Sequence, residues 1–257
     1  MTNAAADARA RDCLAEICAP SLSHPAGGDV DVWVFALPER PAGIASLWPV
    51  LGSDERSRAE RFRRPTDRNR YVVAHAALRT ILARYVEADP AGLRFVFGRH
   101  GKPALAREPR WPDVRSNLSH SGGIAACAIA LGREVGIDVE ELDGARASMA
   151  VAARHFSPGE LAALQGLGER DRQRGFFNCW TRKEAYIKAR GEGLSIPLSQ
   201  FDVSLAPGEP PALLSSRPHP GDVDRWSLHE LALPEGYVGA VAVERAGPAR
   251  PSSDAGA

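Results

Sequence analysis

Residues 176–194, FFNCWTRKEAYIKARGEGL, can only be a helix that the rest of the chain covers. Phe176, Phe177, Trp180, Tyr186 and Ile187 recur too densely for a solvated surface, so the pattern predicts a largely buried helix over about 171–190 that stops at Gly191. The same span holds Lys183, Glu184 and Lys188. Trp180, Glu184 and Lys188 are spaced i, i+4, i+8 and therefore share one face. On an open surface a Glu–Lys pair four residues apart stabilises a helix by only about 0.2–0.5 kcal/mol. In a buried helix such charges need a partner or a metal, which points their face into a cleft. The chain has 29 arginines and only three lysines, Lys102, Lys183 and Lys188, so each lysine is an exception that wants a reason.

Around that helix the chain divides into two halves. Residues 1–28 read as an N-terminal tail, 29–133 as one subdomain, 134–246 as a second, and 247–257 as a C-terminal tail. The first strand, DVDVWVFAL, alternates Val30, Val32 and Val34 against Asp31, Trp33 and Phe35. Ser53 is placed to cap a short helix, and a longer one over about 67–87 carries a stripe of Tyr71, Ala74, Leu78, Ile81, Leu82 and Tyr85. LRFVF follows as a strand, then the loop GRHGKPALAREPRWPD, a strand, turn and strand in VRSNLSHSGGIAACAIAL, and the strand EVGIDVEEL. In the second half SPGE has capping-box spacing, Ser157 to Glu160. After the aromatic helix, FDVSL, DRWSLHEL and YVGAVAVE read as strands able to pair antiparallel. Each half thus offers a long helix and antiparallel strands, a hint of two similar α+β subdomains that no residue-level repeat reinforces.

Formal net charge is zero, which argues against nucleic acid or membrane as a partner of the whole surface. The N-terminal segment lacks the apolar core of a signal peptide, and a run of about 18 apolar residues occurs nowhere, so a cytoplasmic protein is expected. Cys13, Cys18, Cys127 and Cys179 lack zinc-like pairing and are expected to be reduced and structural.

Four stretches can carry chemistry. In VGIDVE, Asp138 and Glu140 project from one face of a strand while Ile137 and Val139 point to the other, and two such carboxylates can chelate a hard cation. The plain alternative is a solvated acidic edge strand. Glu184 would add a third carboxylate, a set that suits magnesium. SNLSHSGG places Ser119 and His120 at a Ser- and Gly-rich turn able to surround a phosphate, against the alternative of a structural histidine. GRHGKP presents Lys102. The arginines between 54 and 70, Arg58 and Arg70 among them, mostly read as a solvated helix, from which one or two could reach a ligand.

The order GKP, NLSHSGG, GIDVE and WTRKEAYIKARGEGL closely resembles the 4'-phosphopantetheinyl transferases, in particular the long, monomeric, surfactin-synthetase-activating type, over roughly residues 50–205. The resemblance implies a pseudo-twofold pair of α+β subdomains, each a long helix packed on an antiparallel sheet, with the active site in the cleft between them. It implies transfer of the 4'-phosphopantetheine arm of coenzyme A to a serine of an acyl, peptidyl or aryl carrier protein, with release of adenosine 3',5'-bisphosphate. Asp138, Glu140 and Glu184 would hold magnesium. Glu184 and Lys188 would be catalytic, and Arg58, Arg70, Lys102, Ser119, His120, Asp138 and Lys188 would bind coenzyme A. Lys183 would be a flanking contact or an ion pair. Two other readings stay open, another magnesium-dependent phosphoryl-transfer enzyme and a non-catalytic module that binds coenzyme A or a carrier protein.

Overall fold

Two 22-residue helices and two three-stranded antiparallel sheets carry the fold. The structure, a computed structural model, describes residues 30–39, 43–144 and 147–246, so the expected tails and Cys13 and Cys18 lie outside the described residues. In the first half β1 (Val30–Ala36) leads through α1 (Ser53–Glu60) to the long α2 (Pro65–Val86). Then come β2 (Phe95–Phe97), β3 (Pro103–Leu105), β4 (Val114–Ser121) and β5 (Ile124–Leu131). The second half runs β6 (Val135–Glu141), α3 (Met149–His155), α4 (Pro158–Gly166), the long α5 (Glu169–Arg190), β7 (Phe201–Val203), β8 (Leu213–Ser216), β9 (Trp226–Glu230) and β10 (Tyr237–Glu244). The sheet orders are β1-β5-β4 and β6-β10-β9. The molecule is therefore α+β, and each half packs one long helix on one sheet.

Strand alternation sorts the apolar side chains into three layers. Trp33 and Phe35 of β1 and Cys127 and Ile129 of β5 meet Leu78, Ile81 and Leu82 of α2. Phe177, Tyr186 and Ile187 of α5 meet Val238, Ala240 and Ala242 of β10. The opposite faces of the two sheets meet each other: Val30, Val32, Ala126, Ala128 and Ala130 pack with Val135, Ile137, Val139, Val241 and Val243. The order is helix, sheet, sheet, helix. Both faces of β1 are buried, as its two apolar sets require.

The halves are also joined by polar side chains. Asn117, Ser119 and Ser121 of β4 accept the backbone N–H groups of Ile137, Val139 and Glu141 of β6 at 2.8, 3.3 and 3.1 Å. The partners rise together along both strands, so β4 runs parallel to β6, with side-chain oxygens in the place of backbone carbonyls. On the far face of β6, α5 presses close. A Cβ on Gly136 would stand 2.2 Å from both Ala185 O and Ala189 N, so only glycine lets the helix lie this near the strand. Gly191 ends α5 at φ 70°, the left-handed cap that glycine adopts without strain.

Local expectations met mixed outcomes. Ser157 and Glu160 form the expected capping box. Ser53 lies inside α1 and Gly52 is the cap, because the Glu55 carboxylate reaches back to the Gly52 N–H at 2.8 Å. Part of the expected loop after GRHG pairs as β3 with β2. FDVSL pairs with β8 in a small separate sheet, while β9 and β10 pair with each other as expected. Cys127 and Cys179 are both buried, and Cys179 is free.

Lys183 is wholly buried, 0% exposed, and is an ion-pair partner as the sequence suggested. Its Nζ contacts Glu160 Oε2 at 2.7 Å and donates to Leu198 O and Phe201 O at 2.7 and 2.6 Å. Removing one member of such a pair strands a buried charge. Lys183→Met should lower stability by about 3–5 kcal/mol in urea unfolding. A loss well below that would mean that Glu160 is satisfied without the ammonium.

Candidate active site

The charged cluster forms where β4, β6 and α5 meet. Because β6 places Ile137 and Val139 in the inter-sheet core, Asp138 and Glu140 are turned toward α5. Asp138 is 4% exposed, so a solvated acidic edge does not describe it. Its Oδ1 accepts from Lys188 Nζ at 2.6 Å and from the Ser119 hydroxyl at 2.9 Å, and Lys188 Nζ also lies 3.3 Å from that hydroxyl. Asp138 Oδ2 is buried without a hydrogen-bond partner. Burial pushes the Asp138 carboxyl above its usual range, against the pull of Lys188.

Glu184 stands one helical turn before Lys188. Burial, then the negative charge of Asp138, push its carboxyl up to about 7; Lys188 opposes this and Glu140 adds to it. Glu140 accepts the Ser121 hydroxyl at 2.8 Å. The three acids are thus within electrostatic reach of one another, yet among the described residues no group of three or more His, Cys, Asp or Glu side chains is gathered closely enough to hold a metal ion. The expected three-carboxylate site is not preassembled among the described residues. The donor set still fits a hard divalent cation. It is all oxygen, it strains under its own negative charge, and one buried carboxylate oxygen lacks a partner.

His120 occupies the β4 face of Leu118, which packs against the core beneath α2. It is exposed, and its imidazole is held below the ordinary value first by desolvation and then by the positive charges of His75, Lys188 and Arg70. Arg70 Nε is buried without a partner, and its Nη2 lies 3.6 Å from Glu39. Arg58 is exposed, with its guanidinium 5.7 Å from the centre of the Tyr71 ring. Ser119 faces Asp138 and Lys188. Lys102 is engaged within the fold. Its three ammonium protons go to Glu134 Oε2 at 2.8 Å, Val135 O at 3.1 Å and Ala189 O at 3.0 Å, leaving none for a phosphate. In this arrangement it fastens the β2–β3 hairpin to the start of β6 and the end of α5.

The comparisons with known proteins bear on this cluster. The family model described as 4'-phosphopantetheinyl transferase, N-terminal, matches residues 40–131, and that of the 4'-phosphopantetheinyl transferase superfamily matches 134–242. The 4'-phosphopantetheinyl transferase HetI of Nostoc sp. is 36% identical over 84% of this chain and 87% of its own. The chain belongs to the 4'-phosphopantetheinyl transferase superfamily. A putative 4'-phosphopantetheinyl transferase of Synechocystis sp. is 36% identical over 76% of this chain and 77% of its own. The transferase Sfp of Bacillus subtilis is 32% identical over 60% and 66%. In this phosphopantetheinyl transferase superfamily member the cluster straddles the two matches, with Ser119, His120 and Ser121 in the first and Asp138, Glu140, Glu184 and Lys188 in the second.

Sequence reasoning passed over Asn117, Ser121 and His75. The first two were legible as the polar positions of SNLSHS that alternate with Leu118 and His120. His75 stacks on Tyr71 with ring centroids 4.0 Å apart, and its Nδ1 lies 3.1 Å from Glu55 Oε1. Nothing in its own neighbourhood announced that.

Glu184 sets a pH dependence. Between its ordinary value of 4.5 and about 7 the folded protein keeps a proton that the unfolded chain has released, so stability falls as pH rises through that window. Glu184→Gln, measured in chelator by thermal unfolding, should gain on the parent across the window and keep the advantage at higher pH. Parallel pH profiles for the two proteins would show that Glu184 titrates normally.

Proposed function

We propose that this chain transfers the 4'-phosphopantetheine arm of coenzyme A to a serine of an apo carrier protein and releases adenosine 3',5'-bisphosphate, with magnesium as the metal. The observation that carries the reading is the meeting of Asp138, Glu184 and Lys188, an unpartnered buried carboxylate oxygen beside a half-buried ammonium, at the junction of the two halves. Superfamily membership supplies the reaction class, and the relatives named as 4'-phosphopantetheinyl transferases support it.

In this reaction the carrier serine oxygen gives up its proton to solvent and forms a bond to the phosphorus attached to pantetheine. The bond from that phosphorus to the bridging oxygen breaks, and the nucleotide leaves with its phosphate. Asp138, Glu140 and Glu184 would hold magnesium, which neutralises pyrophosphate charge. Lys188 is held by Asp138 and Ser119 with its side chain 30% exposed, so the ammonium is oriented and still reachable by a phosphate. It would stabilise the charge that develops on the transferred group and protonate the departing phosphate. Arg70 and His120 would bind phosphates of the nucleotide end, with Arg58 at the rim. The residues of the cluster all come from one chain, which supports a monomeric enzyme; a cytoplasmic setting agrees with the free, buried thiol of Cys179.

The test is an intact-mass measurement on a panel of apo acyl, peptidyl and aryl carrier proteins incubated with the protein, coenzyme A and magnesium. At least one carrier should gain a single phosphopantetheine on serine. Asp138→Ala should abolish most transfer, and Lys188→Ala should lower turnover while leaving the magnesium dependence intact. Coenzyme A cleavage with no carrier gaining mass would favour another phosphoryl-transfer reaction. Binding without cleavage would favour a non-catalytic module.

A further inference from the structure

The β4–β6 junction treats its two serines alike. Ser119 Oγ accepts the Val139 N–H at 3.3 Å and donates to Asp138 Oδ1 at 2.9 Å. Two residues on, Ser121 Oγ accepts the Glu141 N–H at 3.1 Å and donates to Glu140 Oε2 at 2.8 Å. A hydroxyl has one hydrogen to give. Since the strand N–H can only donate, it fixes the polarity of each serine and turns that hydrogen toward the carboxylate. Each acid is thereby engaged as an acceptor at one named oxygen. Asn117 is the third rung. It accepts the Ile137 N–H at 2.8 Å, but the strand position equivalent to Asp138 and Glu140 is Gly136, so this rung has no carboxylate to orient.

We propose that Ser121 is a positioning residue that fixes the Glu140 carboxylate for a divalent cation, as Ser119 fixes Asp138, while Asn117 serves the strand junction alone. The proposal rests on the magnesium reading above. Ser121 acts through Glu140 and need not touch substrate. Without its hydroxyl hydrogen the Glu140 carboxylate loses the partner that sets Oε2. Losing a partner that orients a metal ligand commonly weakens metal affinity by about 10–100-fold.

The decisive measurement is calorimetric titration of magnesium into the full chain with coenzyme A present, for the wild type, Ser121→Ala, Ser121→Thr and Asn117→Ala. Thermal unfolding and coenzyme A affinity in chelator are recorded for each. Ser121→Ala should weaken magnesium binding by about tenfold and leave coenzyme A affinity in chelator unchanged. Ser121→Thr, which keeps a hydroxyl on a residue well suited to a strand, should restore the metal affinity. Asn117→Ala strands a backbone N–H and should lower the unfolding temperature without weakening magnesium binding. Wild-type magnesium affinity in Ser121→Ala, or no restoration by threonine, overturns the positioning role while sparing the metal reading. A wild type that binds no magnesium overturns both.

Discussion

Everything at the centre of this molecule depends on how the edge of one sheet meets the edge of the other. A backbone ladder would bring β4 and β6 to within about 4.8 Å of each other. Here three side chains intervene: Asn117, Ser119 and Ser121 answer the N–H groups of Ile137, Val139 and Glu141. Those N–H groups need acceptors, because a buried unpaired amide costs about as much as a lost hydrogen bond. Supplying the acceptors from side chains holds the strands further apart and lines the gap with hydroxyls. The same spacing brings Asp138 and Glu140 beside α5, where Glu184 and Lys188 wait on one face. The apolar inter-sheet layer of valines and alanines fixes the junction from below.

The three lysines then divide the electrostatic work. Lys183 neutralises Glu160 inside the second core, where a guanidinium would have had to satisfy more donors. Lys102 spends its three protons on Glu134 and on two carbonyls, one of them the end of α5, where a cation also complements the helix dipole. Lys188 alone keeps one side open. Its ion pair with Asp138 is shared with a hydroxyl and borders Glu184, so an arriving anion or cation could redraw it at modest cost. Gly136 makes that arrangement geometrically possible, since any larger residue would lift α5 away from the strand that carries Asp138.

Much of this was legible in the sequence, for identifiable reasons. The period of two in VGIDVE turned Asp138 and Glu140 to one face, and the period near four on the aromatic helix aligned Glu184 with Lys188. The two-sheet architecture was hinted at by strands and long helices in both halves and implied by the family resemblance. The partners of Lys102 were not legible because they lie 32 to 87 residues away and two of them are backbone carbonyls, which leave no side-chain signature. Ser53 was misread as a cap because the glutamate at position 55 lets a glycine serve. The serine ladder was visible as alternation, but alternating small polar residues read equally well as a solvated strand face. Only the presence of β6 across the gap gives them their task.

The strand pairing also orders events on the ribosome. Val30 of β1 pairs with Ala130 of β5, so β1 waits for about 100 further residues before its neighbour exists, roughly 5–20 s at ordinary synthesis rates. β6 faces a similar delay, since Val135 pairs with Val243. During the first interval β1 carries Val30, Val32, Trp33 and Phe35 with both faces uncovered, and α2 can shield only the aromatic one. The valine face stays open until the second sheet arrives. Nascent chains of this protein therefore pass through a stage in which an apolar strand is exposed, the stage at which a chaperone would have most to do.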